Sequence, residues 1–423
     1  MDGRGALAVL LAIAAGAAQA GSWGLGGHVK YQLSHGRYAA DDLATLLGDR
    51  SPTDHSLDLR LKAERRAGPW EMSAHYEALA VAGDSLETRR AAAALLPVAG
   101  ALSVTGLPDD RTRVMDLTHD LSDRDRVAAV HRLDRLSLAW LGERAVLRVG
   151  RQAVSWGNGL AFHPLDIFNP FSPVAVDKEY KGGDDMLYGQ WVRPNGDDLQ
   201  ALALGRRDPQ SGSLTQAQSS EAVKYRGRAS GMDFDLLAAR HYDENVFGFG
   251  INRSVGGAVA RADLAVTDLR GGGHAGSLVA NIDYSWVAWA RNMYGFAEYY
   301  RNGFGETDAG DYAGITAANP ALAARLARGE VFVLGRDYAA LGLQIELAPL
   351  WNLFQTLIVN LHDASGFYQL RGVHDLRQDL QLQAGVNFPF GGAGGEFGGV
   401  ATVLPGVSTA PARSVYLRAA YYF

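Results

Sequence analysis

Residues 57–77 read LDLRLKAERRAGPWEMSAHYE, and this stretch shows the pattern that decides the fold. Leu57 and Leu59 alternate with charged residues, and after a turn at residues 67–69 the alternation resumes at Trp70. Two alternating runs joined by a short turn predict an antiparallel β-hairpin with one apolar and one charged face.

The same period of two returns later in the chain, near residues 232–238, 278–286, 341–347 and 415–423. A tilted strand needs about 9–11 residues to cross the hydrocarbon core of a membrane, and no later run reaches the ~18 apolar residues of a membrane helix. Soluble β-sandwiches also alternate, so the pattern alone does not identify a membrane barrel.

Composition excludes some classes of protein. The chain has 423 residues, 47% of them hydrophobic, which fits a barrel because outward apolar and inward polar residues average out. Cysteine is absent, which excludes a small extracellular scaffold held by disulfides. The formal net charge of -6 gives no basic excess for nucleic acid.

The first twenty residues have the organisation of a signal peptide. Arg4 precedes an apolar run at residues 6–15, and residues 18–20 read Ala-Gln-Ala, a typical cleavage site. We therefore expect residues 1–20 to be a signal peptide and residues 21–423 to form a single domain.

The connections between the predicted strands alternate short and long. Short turns are predicted near Gly68, Gly142, Asn195, Gly231, Gly256, Ala290, Pro349 and Asp375. Long connections are predicted near residues 39–53, 83–127, 157–184, 208–219, 303–335 and 389–411, with shorter members near Asn245, Gly272 and Ser365. The pattern predicts an all-β, transmembrane antiparallel β-barrel of about 18 strands, roughly 16–18, with short periplasmic turns and long extracellular loops.

Aromatic residues cluster at the predicted short turns and at the two chain ends of the barrel. Such residues prefer the membrane-water interface, so we expect one aromatic girdle on the periplasmic side. Its predicted members are Trp23, Trp70, Trp140, Trp191, Trp286, Trp289, Trp351 and Phe423.

The last nine residues, 415–423, read VYLRAAYYF. This segment resembles the C-terminal strand of bacterial outer-membrane proteins, which alternates aromatic and apolar residues and ends on phenylalanine. The resemblance implies a Gram-negative outer membrane, recognition by the barrel assembly machinery, and contact with membrane lipid and lipopolysaccharide.

The segment from Gly150 to Asp185 is rich in aromatic, proline and charged residues that a solvated loop would not need. We expect it to fold inwards, with residues 157–184 forming a constriction loop. The predicted constriction residues are Arg151, Trp156, Asn169, Asp177, Lys178, Glu179 and Tyr180. Alternatively, the aromatic residues of this segment form a small packed cap, and the two readings are compatible.

Residues 150–152 read Gly-Arg-Gln, a sequence similar to one found after a strand in porin-like and alginate-export-type barrels. The resemblance implies an eighteen-strand channel and assigns no binding residues.

Basic residues on one later strand are a second candidate site. With a turn at residues 230–231, Arg228 is expected opposite Asp233 and Arg226 opposite Asp235, so ion pairs account for most of this charge. Lys224 has no acidic partner in this register, and together with Arg148 and Arg261 it is the candidate for attracting anionic solutes. Acidic residues on other predicted inner faces make the lumen mixed in charge.

No motif for catalysis is present, neither Gly-x-Ser-x-Gly nor His-Glu-x-x-His, so we expect no catalytic residues, no cofactor and no enzyme activity. Glu306, Asp308 and Asp311 cluster in one loop, but their spacing matches no metal-binding template and favours a solvated acidic loop.

The resulting hypothesis is a passive channel for small hydrophilic solutes. A barrel serving lipid or polysaccharide export, and a plugged structural barrel, are the alternatives. Porins of this size are often trimers, which leaves a homo-oligomer open, although no sequence pattern marks a subunit interface.

Overall fold

The computed structural model of the chain describes residues 23–95, 105–175 and 179–423. The predicted signal peptide lies outside the described residues, as do Asp177 and Lys178. Within the described ranges, no helix is long and apolar enough to cross a membrane.

Eighteen antiparallel strands form a closed barrel, which confirms the predicted fold class and strand number. The strands are β1 Gly24–Arg37, β2 Thr53–Ala67, β3 Trp70–Gly83, β4 Val127–Leu141, β5 Ala145–Gln152, β6 Asp184–Val192, β7 Asp198–Leu204, β8 Ser220–Ala229, β9 Met232–His241, β10 Glu244–Val255, β11 Ala258–Asp268, β12 His274–Ala288, β13 Arg291–Arg301, β14 Asp337–Ala348, β15 Trp351–Asn360, β16 Gly366–Arg377, β17 Leu380–Phe390 and β18 Arg413–Tyr422. Residues 118–124 form a short extra strand that pairs with residues 127–132 at the beginning of β4, and residues 400–401 pair with 408–409 in a loop.

The barrel closes where β1 pairs with β18, in a register that runs from His28 opposite Tyr422 to Arg37 opposite Arg413. At the end of this seam the Gly27 amide donates to the Phe423 carbonyl at 2.7 Å. Closure removes the two free edges that an open sheet of this size would expose to other chains.

The turns at one end of the barrel are short, as predicted, and we call this the short-turn end. Several are two-residue turns with both central residues at positive φ, such as Trp289-Ala290 and Gly256-Gly257. This conformation matches the right-handed twist of the flanking strands. At the opposite, long-loop end, the connection predicted near Asn245 is shorter than expected, because β9 and β10 are joined by a two-residue turn at 242–243.

Along the strands, side chains alternate between an apolar outer face and an inner face that carries polar residues. On β2, Leu57 and Leu61 are exposed outwards, whereas Arg60 between them is buried inside the barrel. The aromatic residues predicted to form a girdle lie at the short-turn end, and Trp70, Trp191, Trp289, Trp351 and Phe423 among them are exposed. That they mark a membrane interface stays a prediction.

Short helices stand in the loops of the long-loop end. They are α1 Leu43–Leu47, α2 Asp84–Leu95, α3 Ile315–Ala318 and α4 Pro320–Arg328, with a 3-10 turn at Ala309–Gly314. The Asn319 side chain caps α4 by accepting from the Leu322 amide, and Gly329 ends the helix in the left-handed conformation.

Apolar clusters under these loops fill one side of the barrel. One cluster packs Phe162 and Leu322 against the inner faces of β12 to β16, and another packs Trp156 and Phe168 against inner residues between β6 and β11. A smaller cluster sets Leu86 of α2 against the upper ends of β3 and β4. The inner wall from β17 through β18 and β1 to β2 carries mainly polar side chains.

Candidate lumen constriction

The described parts of the connection between β5 and β6, residues 153–175 and 179–183, run inside the barrel, and we call them the inward loop. Its first part lies along the wall at β7, where the Trp156 indole donates to Gln200 Oε1 at 2.8 Å. Trp156 is 4% exposed and packs edge-on against Phe168. This part of the inward loop is therefore a packed element, as the cap alternative proposed.

Two carboxylates of the wall hold the next part of the inward loop. Asp263 on β11 accepts from both the backbone amide and the side-chain amide of Asn158, at 2.5 and 2.7 Å. Glu298 on β13 accepts from the backbone amides of residues 160, 161 and 162 at 2.7 to 3.0 Å. Charged acceptors make the stronger class of hydrogen bond, so these contacts fix the loop against the wall.

A buried ion pair joins the two limbs of the inward loop. Lys181 Nζ lies 2.5 Å from Asp166 Oδ1 and also donates to the Val154 carbonyl at 2.5 Å. Burial raises the pKa of Asp166 to about 6, although the charge of Lys181 acts in the opposite direction. Burial lowers the pKa of Lys181.

The last part of the inward loop lies against the opposite wall, at β1, β2 and β18. Glu179 Oε2 accepts from Lys30 Nζ at 2.5 Å and from the Tyr422 hydroxyl at 3.2 Å. The Tyr180 hydroxyl accepts from Lys62 Nζ at 3.1 Å. The described parts of the inward loop thus contact both walls of the lumen.

The ring of Tyr180 lies among cationic side chains. The Arg60 guanidinium is 4.3 Å from the ring centroid, and the ammonium groups of Lys62 and Lys30 are 5.6 and 5.7 Å from it. His28 packs against the same ring with a centroid distance of 5.5 Å. Attraction between the cations and the face of the ring holds Tyr180 on the wall.

Arg60 is itself fixed by buried carboxylates. It contacts Glu77 at 2.5 Å and Asp134 at 2.9 Å, and Arg132 contacts the same two residues at 2.5 and 2.9 Å. Arg135 adds a third cation, 2.6 Å from Asp134. Each of these charged groups has a partner of opposite charge, and the three arginines exceed the two carboxylates by one, so the wall beneath Tyr180 carries a slight excess of cations.

Two cavities lie on this wall, one on each side of Tyr180. The upper cavity, about 220 Å³, is towards the long-loop end and is lined by Lys30, Gln32, Asp58 and Arg418 among others. The lower cavity, about 480 Å³, is towards the short-turn end and is lined by Glu64, Glu71, Ser73, His75, Arg135 and Arg148 among others. On β2 the inward residues between the two linings are Arg60 and Lys62, so Glu179 and Tyr180 lie between the two cavities.

Arg151 was wrongly predicted as a constriction residue. It is 0% exposed, and its guanidinium is held by Asp185 at 2.8 Å, by Asp110 at 2.9 Å and by the Met115 carbonyl at 2.6 Å. Alternation along β5 places Arg151 on the same outward face as Val149, and residues 105–117 cover it there. Arg151 is therefore an anchor between β5, β6 and the loop after α2.

Two other predicted site residues are also removed from a solute path. Trp156 is buried in the apolar cluster described above. Lys224 is 4% exposed, lies 5.6 Å from the Trp156 ring centroid, and has an acidic partner in Asp235 at 3.7 Å. The prediction that Lys224 lacks an acidic partner was wrong, because its long side chain reaches the diagonal neighbour on β9 and not only the residue directly opposite.

The remaining predicted residues lie in different parts of the lumen. Arg148 lines the lower cavity, 3.2 Å from Glu71, and Arg261 is paired with Asp283 at 2.7 Å on β12. Asn169, at positive φ, donates to Asp184 at 3.0 Å and stays with the packed part of the inward loop. Arg226 and Arg228 face Asp235 and Asp233 in the predicted register.

Sequence reasoning did not single out the wall side of the constriction. Lys30, Arg60, Lys62 and Arg135 are ordinary inward residues of alternating strands, and their proximity to Tyr180 depends on how the inward loop crosses the lumen. The one available signal was the charged face of the β2–β3 hairpin.

The acidic cluster of the loop between β13 and β14 has structural roles. Glu306 accepts from the Asn319 side chain at 2.7 Å, and Asp308 caps the 3-10 turn by accepting from the Gly310 amide at 2.8 Å. In the part of the chain that the structure describes, no group of three or more His, Cys, Asp or Glu residues is placed to hold a metal ion.

Comparison with solved structures shows a likeness of the fold. No protein-family model and no curated protein matches the sequence. Among solved structures, OccAB2 of Acinetobacter baumannii is similar with a TM-score of 0.51 and 8% identity, covering 95% of this chain and 98% of that chain. A triple mutant of the Rhodopseudomonas blastica porin is similar with a TM-score of 0.43 and 9% identity, covering 95% and 100%. At such low identity the likeness concerns the fold alone.

Proposed function

We propose that the chain is an outer-membrane channel through which small hydrophilic solutes diffuse passively. The closed barrel, its outward apolar face and its aromatic short-turn end support an outer-membrane location. In this orientation the short turns face the periplasm and the long loops face the exterior.

The observation that carries the proposal is the position of Tyr180 between two cavities on one wall, the lower of which is lined mainly by polar side chains. Solutes enter from the upper cavity, pass alongside Glu179 and Tyr180, and leave through the lower cavity. The lining supplies both donors and acceptors, so water and polar solutes exchange hydrogen bonds along the way. The opposite half of the lumen is closed by apolar packing near the long-loop end.

The barrel wall itself favours a channel over an export route that opens sideways. The seam between β1 and β18 is paired over ten residues on each strand, without a gap. We further propose that the chain has no enzyme activity, needs no cofactor and enters the membrane through the barrel assembly machinery.

Single-channel recording in a planar bilayer tests the channel. We expect discrete conductance steps from the wild type and larger steps from Tyr180→Ala, by a factor on the order of two, because a bulky side chain leaves the narrowest point. The matched control is Tyr284→Ala, which removes an outward tyrosine that is 48% exposed. No current from either the wild type or Tyr180→Ala would contradict the proposal and favour a plugged barrel.

A further inference from the structure

Two arginines lie directly opposite each other on the outer surface of the barrel. Arg37 ends β1 and Arg413 begins β18, and the register pairs them across the closing seam. Alternation places them on the face of the exposed residues Val29 and Tyr31 on β1 and of Val415 on β18. Both arginines are exposed.

The position of the two arginines along the barrel axis follows from the length of the outward apolar surface, which we call the apolar belt. Arg413 lies ten positions before Phe423, which is at the short-turn end of the same strand. About ten residues of tilted strand cross the hydrocarbon core. Arg37 and Arg413 therefore stand at the boundary between the apolar belt and the headgroups, on the long-loop side.

These guanidinium groups differ from other outward arginines at the same end. Arg240 pairs with Asp243, and Arg301 lies 3.1 Å from Asp337. Among the described residues no carboxylate forms an ion pair with Arg37 or Arg413. Like charges that face each other on neighbouring strands repel. An anion bound between Arg37 and Arg413 would reduce this repulsion.

We propose that Arg37 and Arg413 bind the phosphate of an anionic glycolipid in the leaflet at the long-loop end. Guanidinium groups bind phosphate oxygens in a fork, with charge-assisted hydrogen bonds. Below the pair, the outward side chains of Phe388, Val415 and Leu417 are 40%, 50% and 61% exposed and offer an apolar surface to acyl chains. The Arg413 guanidinium already lies 4.5 Å from the centroid of the Phe388 ring, which fixes its direction. The inference rests on the proposed outer-membrane location.

The test uses the full barrel in detergent and bis-phosphorylated lipid A as the probe, with binding measured by native mass spectrometry. We expect the affinity of the double variant Arg37→Gln/Arg413→Gln for the probe to be at least about ten-fold lower than that of the wild type, because charge-assisted hydrogen bonds are lost. The matched control, Arg240→Gln/Arg301→Gln, removes two outward arginines that already have acidic partners and should bind as the wild type does.

Two further arms identify the ligand. Dephosphorylated lipid A should bind the wild type and the double variant equally weakly, and inorganic phosphate at the same concentration should not displace the bound probe. Equal binding of the probe by the wild type and the double variant, an equal loss in the control, binding of dephosphorylated lipid A to the wild type as tightly as the probe, or displacement by inorganic phosphate would each overturn the inference.

Folding and channel activity are read separately. The double variant should keep the heat-dependent mobility shift of a folded barrel in gel electrophoresis and the single-channel current of the wild type. If the wild type binds the probe but conducts no current, the channel proposal is refuted and the lipid site remains supported. If the wild type conducts but binds the probe no better than the double variant does, the lipid site is refuted and the channel proposal remains supported.

Discussion

Lys30 on the first barrel strand binds Glu179 of the inward loop, with 2.5 Å between Nζ and Oε2, across 149 positions of sequence. The same carboxylate oxygen accepts from the Tyr422 hydroxyl on the last strand at 3.2 Å. One side chain of the inward loop thus contacts both strands of the closing seam. In the proposed channel, its charge lies at the narrowest point, where it acts on the ions that pass.

Neutralising Glu179 should make the channel more selective for anions. Glu179→Gln removes one negative charge opposite Lys30, Arg60 and Lys62, so the ratio of cation to anion permeability should fall. The reversal potential in a potassium chloride gradient measures this ratio. Glu143→Gln, in the exposed turn between β4 and β5, is the matched control and should leave the ratio unchanged. Equal shifts in both variants would show that the effect is not local to the constriction.

Removing Arg151 should destabilise the barrel without changing its selectivity. Arg151→Ala leaves Asp110 and Asp185 buried without their main partner, at a cost of about 3–5 kcal/mol. The temperature at which the folded form is lost in gel electrophoresis should fall clearly below that of the wild type and of Arg144→Ala, which changes an exposed turn arginine. A changed reversal potential with unchanged thermal stability would contradict this prediction and show that Arg151 contributes to the solute path.

Lowering the pH should make the channel more selective for anions, because the Asp166 carboxyl takes up a proton. Its pKa is raised to about 6, mainly by burial, so the carboxyl takes up a proton as the pH falls through that value. The protonated carboxyl no longer balances Lys181, the inward loop gains one positive charge, and anion permeability rises below pH of about 6. Reversal potentials between pH 7.5 and 5 should show this step in the wild type and lack it in Asp166→Asn. An identical titration curve for both proteins would contradict the assignment.

The strand pattern predicted the fold well because a barrel repeats a local rule. Period-two alternation and the lengths of the connections depend on neighbouring residues only, and they located seven of the eight short turns and the register of Arg228 with Asp233. The eighth turn lies at residues 378–379, a few residues after Asp375, which is inside β16. The two-residue turn at Tyr242 and Asp243 was less visible, since neither residue is glycine although both adopt positive φ.

The constriction was harder to predict because its contacts join distant parts of the chain. Arg151 is on an outward face by alternation, yet its burial depends on Asp110 from a loop that no local pattern places there. Similarly, the pairing of Lys30 with Glu179 requires the path of the inward loop across the lumen. Composition indicated that this loop folds inwards, but it did not show which wall the loop reaches.

In the proposed channel, solutes cross along the wall that carries Tyr180. The chain has no cysteine, so single cysteines report accessibility without background. Positively charged methanethiosulfonate reagents should change the single-channel current of Gln32→Cys in the upper cavity and of Ser73→Cys in the lower cavity, and leave Ala265→Cys in the apolar cluster of the opposite wall unaffected. A current that responds at position 265 and at neither 32 nor 73 would contradict the account.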